Sequence, residues 1–544
     1  MASIFVTTSL PYANGPLHLG HLLEHIQADI WVRFKKMQGN RCVFVSGDDA
    51  HGSAIMLSAE KEGVSSEDYI QTIWQQHRRD LDDAQIDFDV FHSTRSEENR
   101  QLVHEFYEKL QSSDMFVEKS ITQAYDVKKS MFLPDRYIKG SCPKCGALDQ
   151  YGDHCEVCGA TYMPGDLVNP YSVLTGSKPE TRRSKHIFLH LSKSEVVLKQ
   201  WFEKSKLQGP VKNKLQEWIK KGLVDWDVTR DAPYFGFEIP GRDRQYFYVW
   251  MDAPIGYLAA LKKYSDEGDH QLFCDVWAPD SDWTVVHFIG KDIVNFHGVF
   301  WPVMLHHAGF RQPDELFVHG FLTINGEKMS KSRGTFVTAR AFLNDFSSEY
   351  LRYYFAAKLS QTVSDIDLSW EDFSNRCNAD LVGKVINIGS RSASFIHKYF
   401  DGNLCSLSSD HHPLIQNFKD ASIQIAEYYD HKSYHFAVRD IMVLADQVNQ
   451  FIDAKKPWLM VKDKNNLNQV HEICTLSLYM FRILMVYLSP ILPTTSRRVA
   501  AFFDEPVFTW ASAQDACSER KIMHFPRLLE RVDLVTWFES RSKV

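Results

Sequence analysis

Two short strings carry residue types suited to handling phosphate: His18-Leu19-Gly20-His21 and, much later in the chain, Lys328-Met329-Ser330-Lys331-Ser332. The first sits where a loop should meet a helix. The unpaired N–H groups and partial positive charge of a helix N-terminus suit an anion. Histidines three apart share a helical face, and their ring N–H groups can donate to a phosphate chain as charge develops on it. Gly20 lets a ring or backbone come close. The second string follows the turn signal Asn325-Gly326 and runs into Arg333-Gly334. Lysine point charges and serine hydroxyls on a mobile loop suit clamping a triphosphate during adenylyl transfer and then releasing it. Alone, each string has a bland explanation: an ordinary helix start, or a solvated basic loop. The ordered pair is far more specific.

A third cluster reads as a metal site. Cys142-Pro-Lys-Cys145 and Cys155-Glu-Val-Cys158 form two knuckles. Four thiolates so spaced complete a closed tetrahedral zinc site with no open position, hence a structural one. Gly146 and Gly159 suit the tight turn after each second cysteine. Disulfides or an iron–sulfur centre are the competing readings. The other six cysteines (Cys42, Cys274, Cys377, Cys405, Cys474, Cys517) are scattered, which suits a reducing cytoplasm and disfavours disulfides.

Positioning these groups requires particular elements. Ile4–Thr8 predicts a buried strand, and Pro11, Asn14, Gly15 and Pro16 mark a loop. Leu19–Met37 predicts a helix, with Leu22, Ile26, Ile30 and Phe34 recurring every fourth residue and Gly39 as a stop. Cys42–Val45 predicts the next strand, ending in Ser46-Gly47-Asp48-Asp49-Ala50-His51-Gly52. Strand, helix, strand with polar residues at the strand ends is the pattern of a parallel sheet whose ligand sits at its carboxyl edge. Residues 115–230 interrupt it and contain the cysteines. Further strands are expected at Tyr246–Trp250, Val285–Gly290 and Leu316–Leu322. Beyond about residue 380, helical spacing dominates at Leu381–Tyr399, Ala421–Tyr429, Phe436–Asp453 and Ile473–Leu488, as in a helical bundle.

The chain is long enough, at 544 residues with 44% hydrophobic, to build several packed units without disulfide staples. A net charge of -8 argues against a nonspecific nucleic-acid coat, though not against a local basic patch. The N-terminus MASIFVTTSLPYANG has no basic start before an apolar core, so no secretory leader is expected. No run approaches ~20 consecutive apolar residues, so no membrane span is expected. The apolar run near Ile483–Leu492 contains Tyr487, Ser489 and Pro490 and reads as a buried bundle helix.

At the two signature strings the chain resembles the class I aminoacyl-tRNA synthetases, specifically the methionine enzymes of the bacterial type. The likeness extends over nearly the whole chain. It includes Leu10-Pro11-Tyr12-Ala13-Asn14-Gly15 through His21, Asp48–Gly52, Arg230–Gly236, Tyr248–Tyr257, His287–Asp292 and the Lys328 string. Leu19 stands where the commonest class I form has isoleucine, a mild change frequent in the methionine enzymes.

The resemblance implies an α/β fold. A Rossmann-type catalytic domain is split between 1–114 and 231–324, with a zinc-bearing connective insertion at 115–230 (knuckle about 138–165). A stem-contact region at 325–384 and a helical-bundle anticodon-binding domain at 385–544 follow. It implies activation of methionine by ATP with Mg²⁺, then transfer to the 3′-terminal adenosine of tRNA(Met), the initiator tRNA included. His18, His21, Lys328 and Lys331 would be catalytic. Pro11, Tyr12, Ala13, Asn14, Gly15, Gly20, Met329, Ser330 and Ser332 would join His18, His21 and Lys331 on ATP. Asp49 would hold the amino group, and Leu10, Tyr12, Trp250, Ala253, Pro254, Tyr257, Ile293 and His297 would surround the thioether. Aromatic faces suit a polarizable sulfur, and a carboxylate suits an ammonium. Asn387, Arg391, Asp453, Pro457 and Trp458 would read the anticodon by stacking and hydrogen bonds. A cytoplasmic monomer is expected.

Three rivals remain at this stage. Synthetases for leucine, isoleucine, valine or cysteine share the strings, but those for the branched aliphatics carry a larger editing insertion. A small-molecule nucleotidyltransferase would not use a long helical C-terminal region. A non-enzymatic tRNA-binding paralogue would not need His18, His21, Lys331 and Asp49 intact.

Overall fold

The computed structural model describes residues 1–534 and 537, except 135, 136, 153, 154, 156, 159, 161, 163, 330–335 and 518; of Lys328 it describes the backbone. Along the N-terminal part run β1 (Ser3–Thr8), α1 (Leu19–Met37), β2 (Arg41–Asp48), α2 (Ser53–Glu62), α3 (Ser66–Asp83) and β3 (Val90–Ser93). The central sheet has six parallel strands, ordered Lys206–Leu207, Glu315–His319, Thr284–Gly290, β1, β2, β3. Val6 pairs with Val286 on one side and Phe44 on the other. β1 and β2 are buried almost throughout, so their apolar runs are continuous rather than alternating, as a sheet covered on both faces requires. The chain order reverses between β1 and Thr284–Gly290. In such sheets the crevice beyond the strands' carboxyl ends at this reversal receives the ligand.

The helix α1 is buried on more than its apolar face. Leu22, Ile26, Ile30 and Phe34 are inside as expected, but so are Glu24, His25, Gln27 and Asp29. The C-terminal helices cover its second side. Arg352 donates to Asp29 at 2.5 Å and to the Ile491 and Pro490 carbonyls at 2.9 Å. Tyr434 Oη donates to the Gln27 carbonyl at 2.9 Å, and Trp31 Nε1 to the Asp430 carbonyl at 3.2 Å. The central sheet and the helical region therefore share α1 as a common core element.

Two sequence-based strands are corrected. Tyr246–Trp250 is extended only over Gln245–Phe247, and Trp250 lies in a short helix, Val249–Asp252. Its aromatic and β-branched residues favour a strand, but Pro254 and the next helix, Gly256–Glu267, turn the backbone first. Leu316–Leu322 splits into Glu315–His319 in the central sheet and Leu322–Ile324 in a three-stranded sheet with Glu327–Lys328 and Ile366–Leu368. Gly320 makes the change possible: a Cβ there would lie 2.2 Å from the Ser364 carbonyl oxygen.

Within 115–230, Phe116–Asp126 and Glu180–Leu189 form a long antiparallel ribbon. Between them a small sheet of Ile138–Ser141, Gln150–Tyr151 and Val168–Ser172 carries the cysteines. Lys206–Leu207 then rejoins the central sheet as its edge strand. The C-terminal helices include Asn387–Phe400, His412–Asp430, Tyr434–Lys455 and Leu467–Leu488. One described helix, Lys464–Leu488, is long and apolar enough to cross a membrane, but 89% of its apolar window is buried inside the protein. It is the centre of the bundle, which accounts for its all-round hydrophobicity.

Candidate active site

A cleft of about 1620 Å³ opens at the carboxyl ends of β1, β2 and Thr284–Gly290. It extends beneath the inserted ribbon, where Gln123, Pro134, Lys178 and Thr181 line it.

His18 is the N-cap of α1, and the two motif histidines form a reciprocal cap. His18 Nδ1 accepts from the Gly20 and His21 amides at 3.1 and 3.3 Å, and His21 Nδ1 accepts from the His18 amide at 3.2 Å. The rings stack at 3.7 Å. With both Nδ1 atoms accepting, each ring is neutral and carries its proton on Nε2. Burial, with the neighbouring His18, His25 and His77, holds His21 well below the usual imidazole value. The pair is thus built to donate hydrogen bonds without a fixed charge.

The second string approaches this cap directly. A Cβ on Gly20 would lie 2.9 Å from the Met329 methyl. Past the loop, the Leu19 amide donates to Val337 O at 3.2 Å, and the Ala339 amide to Leu17 O at 2.8 Å. Phe336 places its edge against His18, with centroids 5.4 Å apart. Lys328 ends the strand Glu327–Lys328, while Ser330, Lys331 and Ser332 lie outside the described residues. Of the proposed ATP contacts, Pro11, Tyr12, His18, Gly20, His21 and Met329 line the cleft. Ala13, Asn14 and Gly15 do not; their loop faces α3, where Tyr69 Oη and His77 Nε2 donate to the Asn14 and Gly15 carbonyls at 3.0 and 2.8 Å.

The amino-acid side is more complete. Leu10, Tyr12, Asp49, Trp250, Ala253, Pro254, Tyr257, Ile293 and His297 all line the cleft. Asp49 is 8% exposed, and its Oδ1 has no hydrogen-bond partner among the described residues. Burial, then the nearby Asp252 carboxylate, pushes its carboxyl well above the usual carboxylate range. A buried acid with one unpartnered oxygen at a cleft wall suits a cationic guest. Gly52 (φ +118°) lets the backbone pass Tyr12, whose Oη would lie 2.5 Å from a Cβ there. Trp250 stacks flat on Phe296 at 3.7 Å, and His297 meets the Trp250 ring edge-on. Tyr257 Oη donates to His297 Nε2 at 2.9 Å, and His297 Nδ1 donates to the Ile293 carbonyl at 3.2 Å. Burial lowers His297 to about 4, so it is a neutral ring in a fixed tautomer.

Sequence reasoning assigned no role to Glu24, Arg230, Asp292, Phe296 or His319. All but Phe296 line the cleft, and Phe296 backs Trp250. Glu24 accepts from the Ser9 amide at 2.6 Å and pairs with His319 at 3.0 Å. Its one available signal was position, one turn beyond His21 on α1. Arg230 lies 3.8 Å over the Tyr248 ring.

The four cysteine sulfurs all lie within 4.8 Å of one another, with Cys142–Cys158 at 3.8 Å and Cys145–Cys155 at 3.6 Å. A tetrahedron with Zn–S bonds of about 2.3 Å has edges of about 3.8 Å, so the donor set fits. Backbone amides of Lys144 and Cys145 donate to Cys142 Sγ, and that of Cys158 to Cys155 Sγ, at 3.3–3.4 Å. Gly146 adopts φ +73°, the left-handed turn expected of the first knuckle; Gly159 lies outside the described residues.

In the helical region, Arg391 sits over the Trp458 ring with its guanidinium carbon 4.7 Å from the centroid. Asn387 is one turn earlier on the helix Asn387–Phe400. Pro457 is buried at the start of the short helix holding Trp458, and Asp453 is exposed near the end of Tyr434–Lys455.

Known proteins share this architecture. A family model described as tRNA synthetases class I (M) matches residues 4–393. A methionine–tRNA ligase of Thiobacillus denitrificans is 50% identical over 532 residues, spanning 97% of this chain and 77% of that protein. The structure of Mycobacterium tuberculosis methionyl-tRNA synthetase in complex with methionyl-adenylate superposes with a TM-score of 0.80 at 23% identity, covering 97% of this chain and 100% of that one. Its apo form gives 0.73 at 21% identity, covering 98% and 99%.

Proposed function

The chain belongs to the methionine branch of the class I tRNA synthetases, enzymes that ligate an amino acid to tRNA, and on that premise we propose the following use of its cleft. The methionine ammonium replaces the missing partner of Asp49. Its thioether lies against Tyr12, Trp250 and His297, with Leu10, Ala253, Pro254, Tyr257 and Ile293 closing the pocket. The methionine carboxylate attacks the α-phosphate of ATP, forming methionyl-adenylate and releasing pyrophosphate. His18 and His21 donate from Nε2 to the phosphates beside Pro11, Tyr12 and Gly20. Met329, Ser330 and Ser332 frame the triphosphate, and Lys328 and Lys331 stabilise the charge passing to pyrophosphate. Mg²⁺ enters with ATP, held mostly by phosphate oxygens. Ala13, Asn14 and Gly15 act by shaping the loop. The chemistry is positioning plus electrostatics, with no covalent enzyme intermediate.

The terminal adenosine 2′-hydroxyl of tRNA(Met), initiator tRNA included, then attacks the adenylate's acyl carbon, forming the methionyl ester and releasing AMP. Cys142, Cys145, Cys155 and Cys158 hold a structural zinc that stiffens the inserted lobe beside the acceptor end. Asn387, Arg391, Asp453, Pro457 and Trp458 receive the anticodon, with Trp458 stacking on a base. The enzyme works as a monomer in the cytoplasm.

The observation that carries this reading is the unpartnered Oδ1 of buried Asp49 among aromatic side chains, across one cleft from His18 and His21. Trp458→Ala tests its two halves together. Base–aromatic stacking is worth about 1–3 kcal/mol, so tRNA charging should fall roughly 10–100-fold while methionine-dependent ATP–pyrophosphate exchange stays within about twofold. Equal loss of both would contradict it.

A further inference from the structure

His77 lies on α3, fully buried and outside the cleft lining. It holds both walls of the cleft from behind. Nδ1 is 2.8 Å from Asp48 Oδ1, and Nε2 is 2.8 Å from the Gly15 carbonyl oxygen. A carbonyl only accepts, so Nε2 donates. Asp48 ends β2 immediately before Asp49. Gly15 ends the loop that delivers His18 to the start of α1. Backbone bonds tie Pro11 and Ala13 to Asp49 at 3.0 and 2.8 Å, and the His77 ring extends that link to Gly15, on the approach to the first signature string. The other Asp48 oxygen has no partner among the described residues, so His77 is the group that fixes this carboxylate.

The arrangement also has an electrostatic consequence. Burial favours a neutral ring, but Asp48, with the Gly15 carbonyl, outweighs it and raises His77 above the usual imidazole value. The ring lies behind the cleft and adds to burial in lowering His21 and His25. The ring that anchors Gly15 on Asp48 thus also helps keep His21 a neutral donor.

We propose that His77 is a positioning residue for amino-acid activation: it anchors Gly15, and through it the approach to His18, on the Asp48 end of β2, while Tyr12 stays on Asp49 by backbone bonds of its own, so that the nucleotide and amino-acid walls keep one geometry. This rests on the function proposed above. A merely structural ion pair would change stability without sorting the two substrates, whereas a two-armed clamp sorts them.

Removing the arms one at a time tests it, with exchange kinetics on the full chain. An asparagine amide nitrogen reaches about the position of Nδ1, and a glutamine amide nitrogen about that of Nε2. His77→Asn therefore keeps the Asp48 arm, and His77→Gln keeps the Gly15 arm. Misplacement of reacting groups by about 1 Å costs up to about 100-fold. His77→Asn should raise the ATP KM at least about tenfold, with the methionine KM within about threefold. His77→Gln and Asp48→Ala should do the reverse. Asp48→Asn retains a bond to Nδ1 and should restore both constants to within about threefold of the parent. Equal rises in both KM values in either ring variant, or a lower melting temperature with both KM values unchanged, would overturn the clamp. If neither ring variant folds, Asp48→Ala against Asp48→Asn decides, and an equal effect on both substrates overturns it. If the parent activates a different amino acid, the same split with that amino acid decides the clamp while the methionine reading fails alone. No exchange with any amino acid overturns both.

Discussion

The Met329 methyl packs against Gly20, so close that a Cβ on the glycine would lie 2.9 Å from it. The two signature strings, far apart in the chain, therefore touch through Gly20 and Met329. Backbone bonds from Leu19 to Val337 and from Ala339 to Leu17 secure the same junction beyond the loop.

Gly20→Ala separates two consequences of this contact. The Met329 methyl is the end of a flexible side chain and can move away at little cost. The His18 ring, 3.0 Å from the same Cβ, is held by its stack on His21 and by Phe336. Displacing it should lower methionine-dependent exchange on the order of 10–100-fold. The double variant with Met329→Ala should recover little of that activity. Full recovery would show that the methionine, not the histidine, transmits the damage.

Asp49→Asn should act on methionine rather than ATP. Removing one partner of a buried charge pair costs about 3–5 kcal/mol, so the methionine KM should rise at least about 100-fold with the ATP KM little changed. The parent should also show a pH effect. Asp49 is held well above the usual carboxylate range, so acidification protonates it early and weakens methionine binding. The methionine KM should climb as pH falls through that elevated value, and the Asn variant should lack the climb. Titration of KM against pH for both proteins checks this.

His297 supplies a pH effect on stability with a definite sign. Folded, it titrates at about 4 because it is buried; unfolded, it titrates near 6.5. Between these values the unfolded chain binds the proton and the folded one does not. Stability from this group is intact above about pH 6.5 and falls by about 1.4 kcal/mol per pH unit as acid is added, down to about pH 4. Thermal melts of His297→Gln should show a correspondingly shallower decline over that window. An identical slope in parent and variant would contradict the assignment.

Much of the fold was legible because the signals were local. The apolar spacing of Leu22, Ile26, Ile30 and Phe34 specified α1, and the run Val285–Gly290 specified a strand. Cysteine spacing brought together four sulfurs that do converge. What escaped depended on distant partners. Trp250 looked like strand because its neighbours are aromatic and β-branched, but the turn before Pro254 places it on Phe296, 46 residues further on. Buried Asp29 made sense only once Arg352 arrived from the helix Ser348–Lys358. Glu24 faces into the cleft because His319, from another strand end, pairs with it. In the helical region, Arg391 and Trp458 meet as cation and ring across 67 residues, a juxtaposition that no helical periodicity encodes.

The central claim is that this cleft selects methionine for reaction with ATP. A screen of the twenty amino acids in ATP–pyrophosphate exchange, with purified protein and Mg²⁺, tests it most directly. Methionine should support exchange, and leucine, isoleucine, valine and cysteine should fall at least about 100-fold behind in kcat/KM. Equal or better exchange with any of those four, or none with methionine, would contradict it.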